Sequence, residues 1–309
     1  SIAITLKKNY NILIAQNAYK QASNSYAPGM AGMLPDVNIN AGYTSSHTNI
    51  SQKYSSGLEI NKNGATSSTL SPGVGLTWTL FDGTKMFIAY NQLGLFRDEG
   101  MMNMKAAIQD NIASVTEAYY NIVQQNELLA VLDSDMALYK QEMDIAKEKF
   151  TIGSGSKLDY LQAEVNYNAE HSAYLKQQVN ITNSIATLNQ LLELPVETTY
   201  NVSDSIAQGK VLIYDSLKRN MLAQNPTLQL AQTNMTIAQN STREIEAMRL
   251  PTVNLGVNYG LTHTQSNAGF SLYNQSLGFS GGLTLTWTIF NGMTVNIQHK
   301  TAEIGELNA

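Results

Sequence analysis

Leu76-Thr77-Trp78-Thr79-Leu80-Phe81-Asp82-Gly83 returns as Leu285-Thr286-Trp287-Thr288-Ile289-Phe290-Asn291-Gly292, 209 residues later. Both tryptophans of the chain fall at this one repeated position. Each copy alternates apolar and hydroxyl side chains and then meets an Asx-Gly pair, the pattern of a half-buried strand running into a turn. Outward from it, Leu34-Pro35-Asp36-Val37-Asn38-Ile39-Asn40 returns as Leu250-Pro251-Thr252-Val253-Asn254-Leu255-Gly256 at an offset of 216. Tyr43, His47 and Thr48 meet Tyr259, His263 and Thr264 at that offset, and upstream Asn9 meets Asn225 and Ala15-Gln16 meets Ala231-Gln232. Two ordered blocks with consistent spacing identify one duplicated unit, with a period far too long for a solenoid.

Four strands follow from the alternation. Val37, Ile39, Ala41 and Tyr43 point one way; Asn38, Asn40, Gly42 and Thr44 point the other. Val74, Leu76, Trp78 and Leu80 oppose Gly75, Thr77 and Thr79. In the second copy Val253, Leu255, Val257 and Tyr259 oppose Asn254, Gly256, Asn258 and Gly260, while Leu283, Leu285, Trp287 and Ile289 oppose Thr284, Thr286 and Thr288. The expected strands are about nine to eleven residues long, enough to cross a bilayer when tilted. The stretches 45–71 and 262–277, rich in Ser, Asn and Gly, are expected as loops. A soluble sandwich would alternate too, with the apolar face inward. Two hairpins more than 200 residues apart are few strands for a sandwich, so the pattern favours a transmembrane barrel, with apolar residues toward lipid and Asn, Thr and Gly toward water.

Between the two copies of that hairpin the period changes. Proline is absent from Pro72 to Pro195. Ile108, Val115, Ile122, Leu129, Met136, Met143 and Phe150 stand seven apart, and Ile112, Tyr119, Leu132 and Tyr139 fill much of the other half of the seam. A sustained seven-residue period means a left-handed supercoil against neighbouring helices. A helix over 85–150 would be roughly 100 Å long, bent at Gly94 and Gly100. Thr151-Ile152-Gly153-Ser154-Gly155-Ser156 breaks it. A second helix, 157–194, is expected to return through Leu158, Leu161, Val165, Leu175, Val179, Ile181, Ile185, Leu188 and Leu192 and to stop at Pro195. In the second copy Pro226 suits a first helical turn, and Leu228, Ala231, Met235 and Ala238 recur at helical spacing over 226–248. The expected organisation is therefore a first repeat over 1–200, with a helix, a β-hairpin at 36–82 and a long helical hairpin at 85–194. Residues 201–309 hold an equatorial segment, the 226–248 helix, a β-hairpin at 251–291 and the start of another long helix. Four strands cannot close a barrel, since about eight is the practical minimum, so several chains must share one; three would give twelve strands.

Composition narrows the function. Of 309 residues 43% are apolar and only 14% charged, with a net charge of -5 and 19 scattered basic residues, so nothing marks a nucleic-acid binder. Without cysteine there is no disulfide framework, thiolate metal site, Cys nucleophile or lipidated Cys in the chain as given. No apolar run approaches a transmembrane helix and no signal peptide is visible, which reads as a cytosolic chain or a mature exported form. No phosphate-loop, His-x-x-x-His or nucleophile-elbow motif occurs. Gly73-Val74-Gly75 lacks the helix of a dinucleotide fingerprint, and Glu142, Asp144 and Glu148 read as a solvated helix face. His47 and His263 occupy equivalent repeat positions; common descent accounts for them more cheaply than a shared metal, and His171 lies on a long helix. No catalytic residue, cofactor or metal is expected.

At this point the chain resembles the TolC-like outer membrane efflux protein family over essentially its whole length. The resemblance is carried by the paired Leu34-Pro35 and Leu250-Pro251, by Leu80-Phe81-Asp82-Gly83 and Ile289-Phe290-Asn291-Gly292, and by Phe150-Thr151-Ile152-Gly153 followed by Lys157-Leu158-Asp159-Tyr160-Leu161-Gln162-Ala163-Glu164. Leu191-Leu192-Glu193-Leu194-Pro195 resembles the usual end of the second long helix. The resemblance implies an α+β membrane protein: a homotrimer whose 12-stranded β-barrel, four strands per chain, sits in the outer membrane of a Gram-negative bacterium and continues as a coiled-coil tunnel through the periplasm. It implies a passive exit duct for efflux or type I secretion, working with a periplasmic adaptor (membrane fusion protein) and an inner-membrane RND, ABC or MFS transporter. Val37, Ile39, Tyr43, Leu76, Trp78, Leu80, Val253, Leu255, Val257, Tyr259, Leu283, Leu285, Trp287 and Ile289 would then face outer-membrane lipid. Asn38, Asn40, Thr77, Thr79, Asn254, Asn258, Thr284 and Thr286 would line the lumen. Ile152, Gly153, Ser154, Lys157, Leu158 and Asp159 would form the tip where the adaptor docks. A helix-turn reading serves the tip equally well, with Asp159 an early-helix carboxylate favoured by the dipole. A soluble periplasmic coiled-coil adaptor or scaffold stands as the alternative, though adaptors lack the duplicated Trp strand. The resemblance also implies a second long hairpin after Gly292, and the chain ends at Ala309. The expectation is a partial protomer, with the tunnel gate outside it.

Overall fold

A computed structural model describes residues 2–199, 202, 209, 212–268 and 271–309. Most of the segment expected as equatorial near 201–211, and part of the expected 262–277 loop, lie outside the described residues. The elements in chain order are α1 (Ile2–Lys8), α2 (Tyr10–Ser25), β1 (Asp36–Lys53), β2 (Glu59–Phe81), α3 (Lys85–Thr151), α4 (Lys157–Leu191), α5 (Tyr214–Gln224), α6 (Pro226–Ala247), β3 (Thr252–Ser266), β4 (Tyr273–Thr286) and α7 (Thr294–Asn308). They divide into two compact units: Ser1–Lys20 with Gly100–Leu230, and Gln21–Glu99 with Ala231–Ala309. This division cuts across the two sequence repeats.

In the first unit α3 and α4 run as an antiparallel pair. Its core is Val115, Ile122, Val123, Leu188, Leu192 and Val202, flanked by Ala118, Tyr119, Ile185, Leu191 and Leu194. Ile108, Leu129, Met136 and Met143 are all partly buried along the same seam. Of the apolar residues expected along α4, Ile181, Ile185, Leu188 and Leu192 lie in or against this core, whereas Leu158, Leu161, Val165, Leu175 and Val179 are exposed within the chain. Tyr160, Tyr167 and Tyr174 extend the line of Ile181 and Leu188 at seven-residue spacing and are half-buried. Tyrosine fills the wide gap between long helices with its ring while its hydroxyl reaches water. A hydropathy reading ranks it below the aliphatics and so passes over it. Gln177, 4% exposed, interrupts the seam. Its amide donates to the Gln125 carbonyl oxygen at 2.9 Å and side-chain oxygen at 2.6 Å. A satisfied polar pair of this kind fixes register between helices. At the end of α4, Leu194 N–H donates to Asn189 O and Glu193 N–H to Gln190 O, with Glu193 at φ 54°. This is a Schellman closure made without glycine. Buried Asn189 donates from Nδ2 to the carbonyls of Val196 and Thr198 and so holds the chain beyond Pro195.

The second unit carries a four-stranded antiparallel sheet of order β1-β2-β3-β4. Sequence neighbours pair as hairpins, and β2–β3 joins the two repeats. The strands have 18, 23, 15 and 14 residues, longer than the expected nine to eleven. Most of 45–71, read as a loop, is ladder: pairing continues from Thr44↔Thr69 to Lys53↔Glu59. Near its end Lys53 and Glu59 form an ion pair, and Gly57, at φ 86°, makes the turn. These residues are polar on both sides, so period two vanishes from the sequence although the backbone pairs. Gly94 makes room for Tyr26, whose ring would lie 3.3 Å from an added Cβ. Tyr26 stacks on Tyr90 at 4.7 Å and lies under the Arg97 guanidinium at 4.7 Å. A side-chain hydrogen bond with Tyr26, helped by desolvation, raises the Tyr90 hydroxyl above its ordinary pKa.

Candidate functional site: a two-faced sheet and a hairpin tip

Residues directly opposite in an antiparallel ladder share a face, so the register decides what each face presents. Val37, Leu76, Val257 and Gly281 form one row; Ile39, Val74, Tyr259 and Phe279 form the next; Trp78, Leu255 and Leu283 lie in a third. The other face reads Asn38, Gly75, Asn258, Ser280, then Asn40, Gly73, Gly260, Gly278. The expected polar set and the apolar set therefore fall on opposite faces of one sheet, apart from Leu80 at the register irregularity between Thr79 and Phe81, and Trp287 and Ile289. Ile39 is 86% exposed, Phe279 71% and Leu283 67%. Contiguous apolar exposure on this scale is foreign to the surface of a soluble monomer. From the row of Val253 to that of His263 the apolar band spans ten residue steps, about 34 Å along the strands. At a tilt of about 40° it stands about 26 Å tall, the height of the lipid band in outer-membrane barrels. Among the described residues no helix is long and apolar enough to cross a membrane.

The polar face is built of short side chains. Thr79 donates to Asn254 Oδ1 at 3.0 Å, and Thr69 and Thr264 hydroxyls meet at 3.0 Å. The Asn38 amide lies over Gly75, 2.9 Å from where a Cβ would stand. Small side chains thus bond sideways along the wall.

Two expected members fall outside the sheet. β4 ends at Thr286, opposite Thr252, the first residue of β3. Trp287 and Ile289 lie beyond it, with no strand among the described residues left to pair them, whereas Trp78 is within β2 opposite Leu255. Both tryptophans nevertheless do the same thing. Trp78 Nε1–H donates to the Met33 carbonyl at 2.9 Å and Trp287 Nε1–H to the Arg249 carbonyl at 3.0 Å. Met33 and Arg249 immediately precede the repeated Leu-Pro pairs. Each indole therefore ties the far end of a hairpin to the turn that starts it, a role the sequence reading missed. The repeat itself was the available signal. The same holds for Asn9 and Asn225. Asn9 Oδ1 accepts from Ile12 N–H at 3.3 Å and Asn225 Oδ1 from Leu228 N–H at 3.1 Å, so both are helix N-caps.

At each strand-to-helix corner, glycine and its successor are left-handed: Gly83 at φ 75° and Thr84 at 76°, Gly292 at 67° and Met293 at 67°. At Gly83 a Cβ would stand 2.4 Å from the Ala247 carbonyl oxygen. No side chain fits there.

In the first unit the hairpin tip is built by hydrogen bonds. Gly153 N–H donates to Phe150 O and Ser154 N–H to Lys149 O, with Gly153 at φ 78°: a Schellman motif ends α3. Ser156 caps α4, accepting from Leu158 N–H at 3.0 Å, and Asp159 sits in the first turn. Phe150 stacks parallel to Tyr160 at 6.4 Å. Ile152 and Leu158 are each 72% exposed. The tip thus brings Ile152, Gly153, Ser154, Lys157, Leu158 and Asp159 into one short turn with two bare aliphatic side chains.

His47 stands opposite Thr66, whereas His263 stands opposite Leu70, four positions further down β2, beside Tyr273 at 5.6 Å. The two do not converge, and among the described residues no group of His, Asp or Glu could hold a metal.

A sheet with one lipid-height apolar face and one polar face, linked through an αL corner to a long helical hairpin, defines the class: the protomer of an outer-membrane channel. Residues 2–193 match the family model described as outer membrane efflux protein, and the chain belongs to that family, one of channel proteins of the outer membrane that extend into the periplasm. It is 23% identical over 308 residues to the outer membrane protein TolC of Salmonella enteritidis, covering 94% of this chain and 58% of that relative. The chain thus spans less than two thirds of the relative's length. Its fold is shared with the Campylobacter jejuni CmeC outer membrane channel, at a TM-score of 0.81 and 18% identity over 99% of this chain and 64% of that one. It is shared too with the Vibrio cholerae outer membrane protein VceC, at 0.77 and 15% over 99% and 72%.

Proposed function

We propose that the full protein is a passive exit duct of the outer membrane, serving efflux or type I secretion. What carries this reading is the two-faced sheet. An apolar band about 26 Å tall on one side of four strands, with polar residues on the other, needs lipid outside and water inside. The outer edges of β1 and β4 have no partner within the sheet, and unpaired ladder groups are not tolerated in hydrocarbon. β4 of one copy against β1 of the next continues the antiparallel order, and three copies give twelve strands. The exposed aliphatic set Leu158, Leu161, Val165, Leu175 and Val179 on α4 is then the seam for neighbouring tunnel helices, and the tip at 152–159 is where a periplasmic adaptor docks. Directionality comes from an inner-membrane RND, ABC or MFS transporter; no chemistry on the cargo is required of this chain.

The test is the protein mass of full-length particles extracted from outer membranes, by light scattering corrected for bound detergent. Three times the chain mass is expected. A monomer, or protein recovered without detergent, would return the sheet to a soluble role.

A further inference from the structure

The polar face of the sheet is almost devoid of charge. From the row Asp36, Thr77, Gly256, Gly282 outward to the row Thr44, Thr69, Thr264, Asn274, every described residue on that face is Gly, Ser, Thr or Asn except Asp36. Its repeat counterpart is Thr252. Asp36 stands at the first position of β1, at the end of the sheet where the strands meet the helix-bearing turns. It is exposed, and among the described residues its carboxylate has no hydrogen-bond or ion-pair partner. It opens onto the concavity it shares with Thr77, Thr79, Asn254 and Gly282. With no partner of its own, the carboxylate is left open to whatever passes.

We propose that Asp36 is the charge filter of the barrel: repeated by the trimer, it forms a ring of three carboxylates at the periplasmic mouth that favours cations, while the wall beyond it selects by neither charge nor hydrophobicity. The proposal rests on the duct reading, with this face as the lumen. Its range follows from geometry. Twelve strands about 4.8 Å apart and tilted about 40° close at a radius of about 12 Å. The Debye length is about 30 Å at 0.01 M salt, about 10 Å at 0.1 M and about 3 Å at 1 M. The ring's field therefore fills the mouth in dilute salt and shrinks to the wall in concentrated salt. The barrel's share of selectivity is salt-dependent, and neutral or bulky cargo passes it without a charge toll.

The experiment is the reversal potential of the full-length trimer in planar lipid bilayers under a KCl gradient, at mean concentrations near 10 mM and near 1 M. Asp36→Asn, nearly isosteric, is expected to lower the cation-to-anion permeability ratio about twofold at low salt and to leave it unchanged at high salt. Asp36→Lys is expected to move it further the same way. Gly278→Asp is the control. A Cβ there meets nothing within 4 Å, and the residue lies mid-wall in the row of Asn40, so the new charge is expected to raise cation preference. A shift with Gly278→Asp but none with Asp36→Asn or Asp36→Lys overturns the filter. Silence of all three variants overturns the lumen assignment of this face, and the duct reading with it.

Discussion

Gly83 and Gly292 occupy equivalent corners, yet they answer to different constraints. Both have positive φ, where an added Cβ costs roughly 1 kcal/mol. At Gly83 the Cβ also collides with the Ala247 carbonyl at 2.4 Å and with Leu250 Cβ at 2.8 Å; at Gly292 nothing lies within 4 Å. Gly83→Ala is therefore expected to cost at least about 3 kcal/mol or to prevent trimer formation, and Gly292→Ala about 1 kcal/mol. Denaturant titration of the purified full-length particle distinguishes the two; equal costs would show that φ alone matters at both corners. The N-caps carry a similar contrast. Asn225→Ala loses one cap, about 1 kcal/mol. Asn9→Ala is expected to lose more, because Asn9 Nδ2 also donates to the Leu191 carbonyl at 3.2 Å and the side chain is 3% exposed. At this scale the sequence was legible only as repetition: it paired Asn9 with Asn225 and Trp78 with Trp287, but a pairing names no hydrogen bond.

Elements were legible wherever apolar periodicity was strong. The α3 heptad, the Leu-Pro strand starts and the break at 151–156 all stand where the spacing puts them. The outer half of the β1–β2 hairpin did not, because Ser, Thr and Asn on both faces leave no period to read. On α4 the tyrosines were the illegible part: Tyr160, Tyr167 and Tyr174 continue the line of Ile181 and Leu188 that packs within the chain. That line is testable. Tyr167→Ala is expected to destabilise the hairpin by about 2–3 kcal/mol through lost packing, read as earlier loss of helical circular dichroism. Val165→Asp is expected to keep the helical signal of the folded chain and to weaken trimers or adaptor binding. At the tip, proline cannot take the φ of 78° found at Gly153. Gly153→Pro, or bulky side chains at Ser154, is expected to impair export while trimers persist. Normal export at normal protein level would sink the tip assignment.

For the molecule as a whole, duplication and change of period by themselves point to a channel protomer, because strands that need lipid and helices that need lengthwise partners fit few folds together. Period two alone puts Asp36 on the side of Asn38 and Asn40; that its row neighbours Thr77, Gly256 and Gly282 carry no charge was not legible, since that depends on register among four strands drawn from two distant hairpins. The two compact units also differ in a way that bears on how the protein is watched. Each tryptophan ties a hairpin to its own starting turn, and both lie in the Gln21–Glu99 and Ala231–Ala309 unit; Ser1–Lys20 and Gly100–Leu230 contain none. Intrinsic emission at tryptophan wavelengths is thus a spectroscopic reporter of the strand-bearing half alone. The helical hairpin can loosen, bind or melt without changing that emission, and a tryptophan placed there, at Tyr167 for example, would report on it.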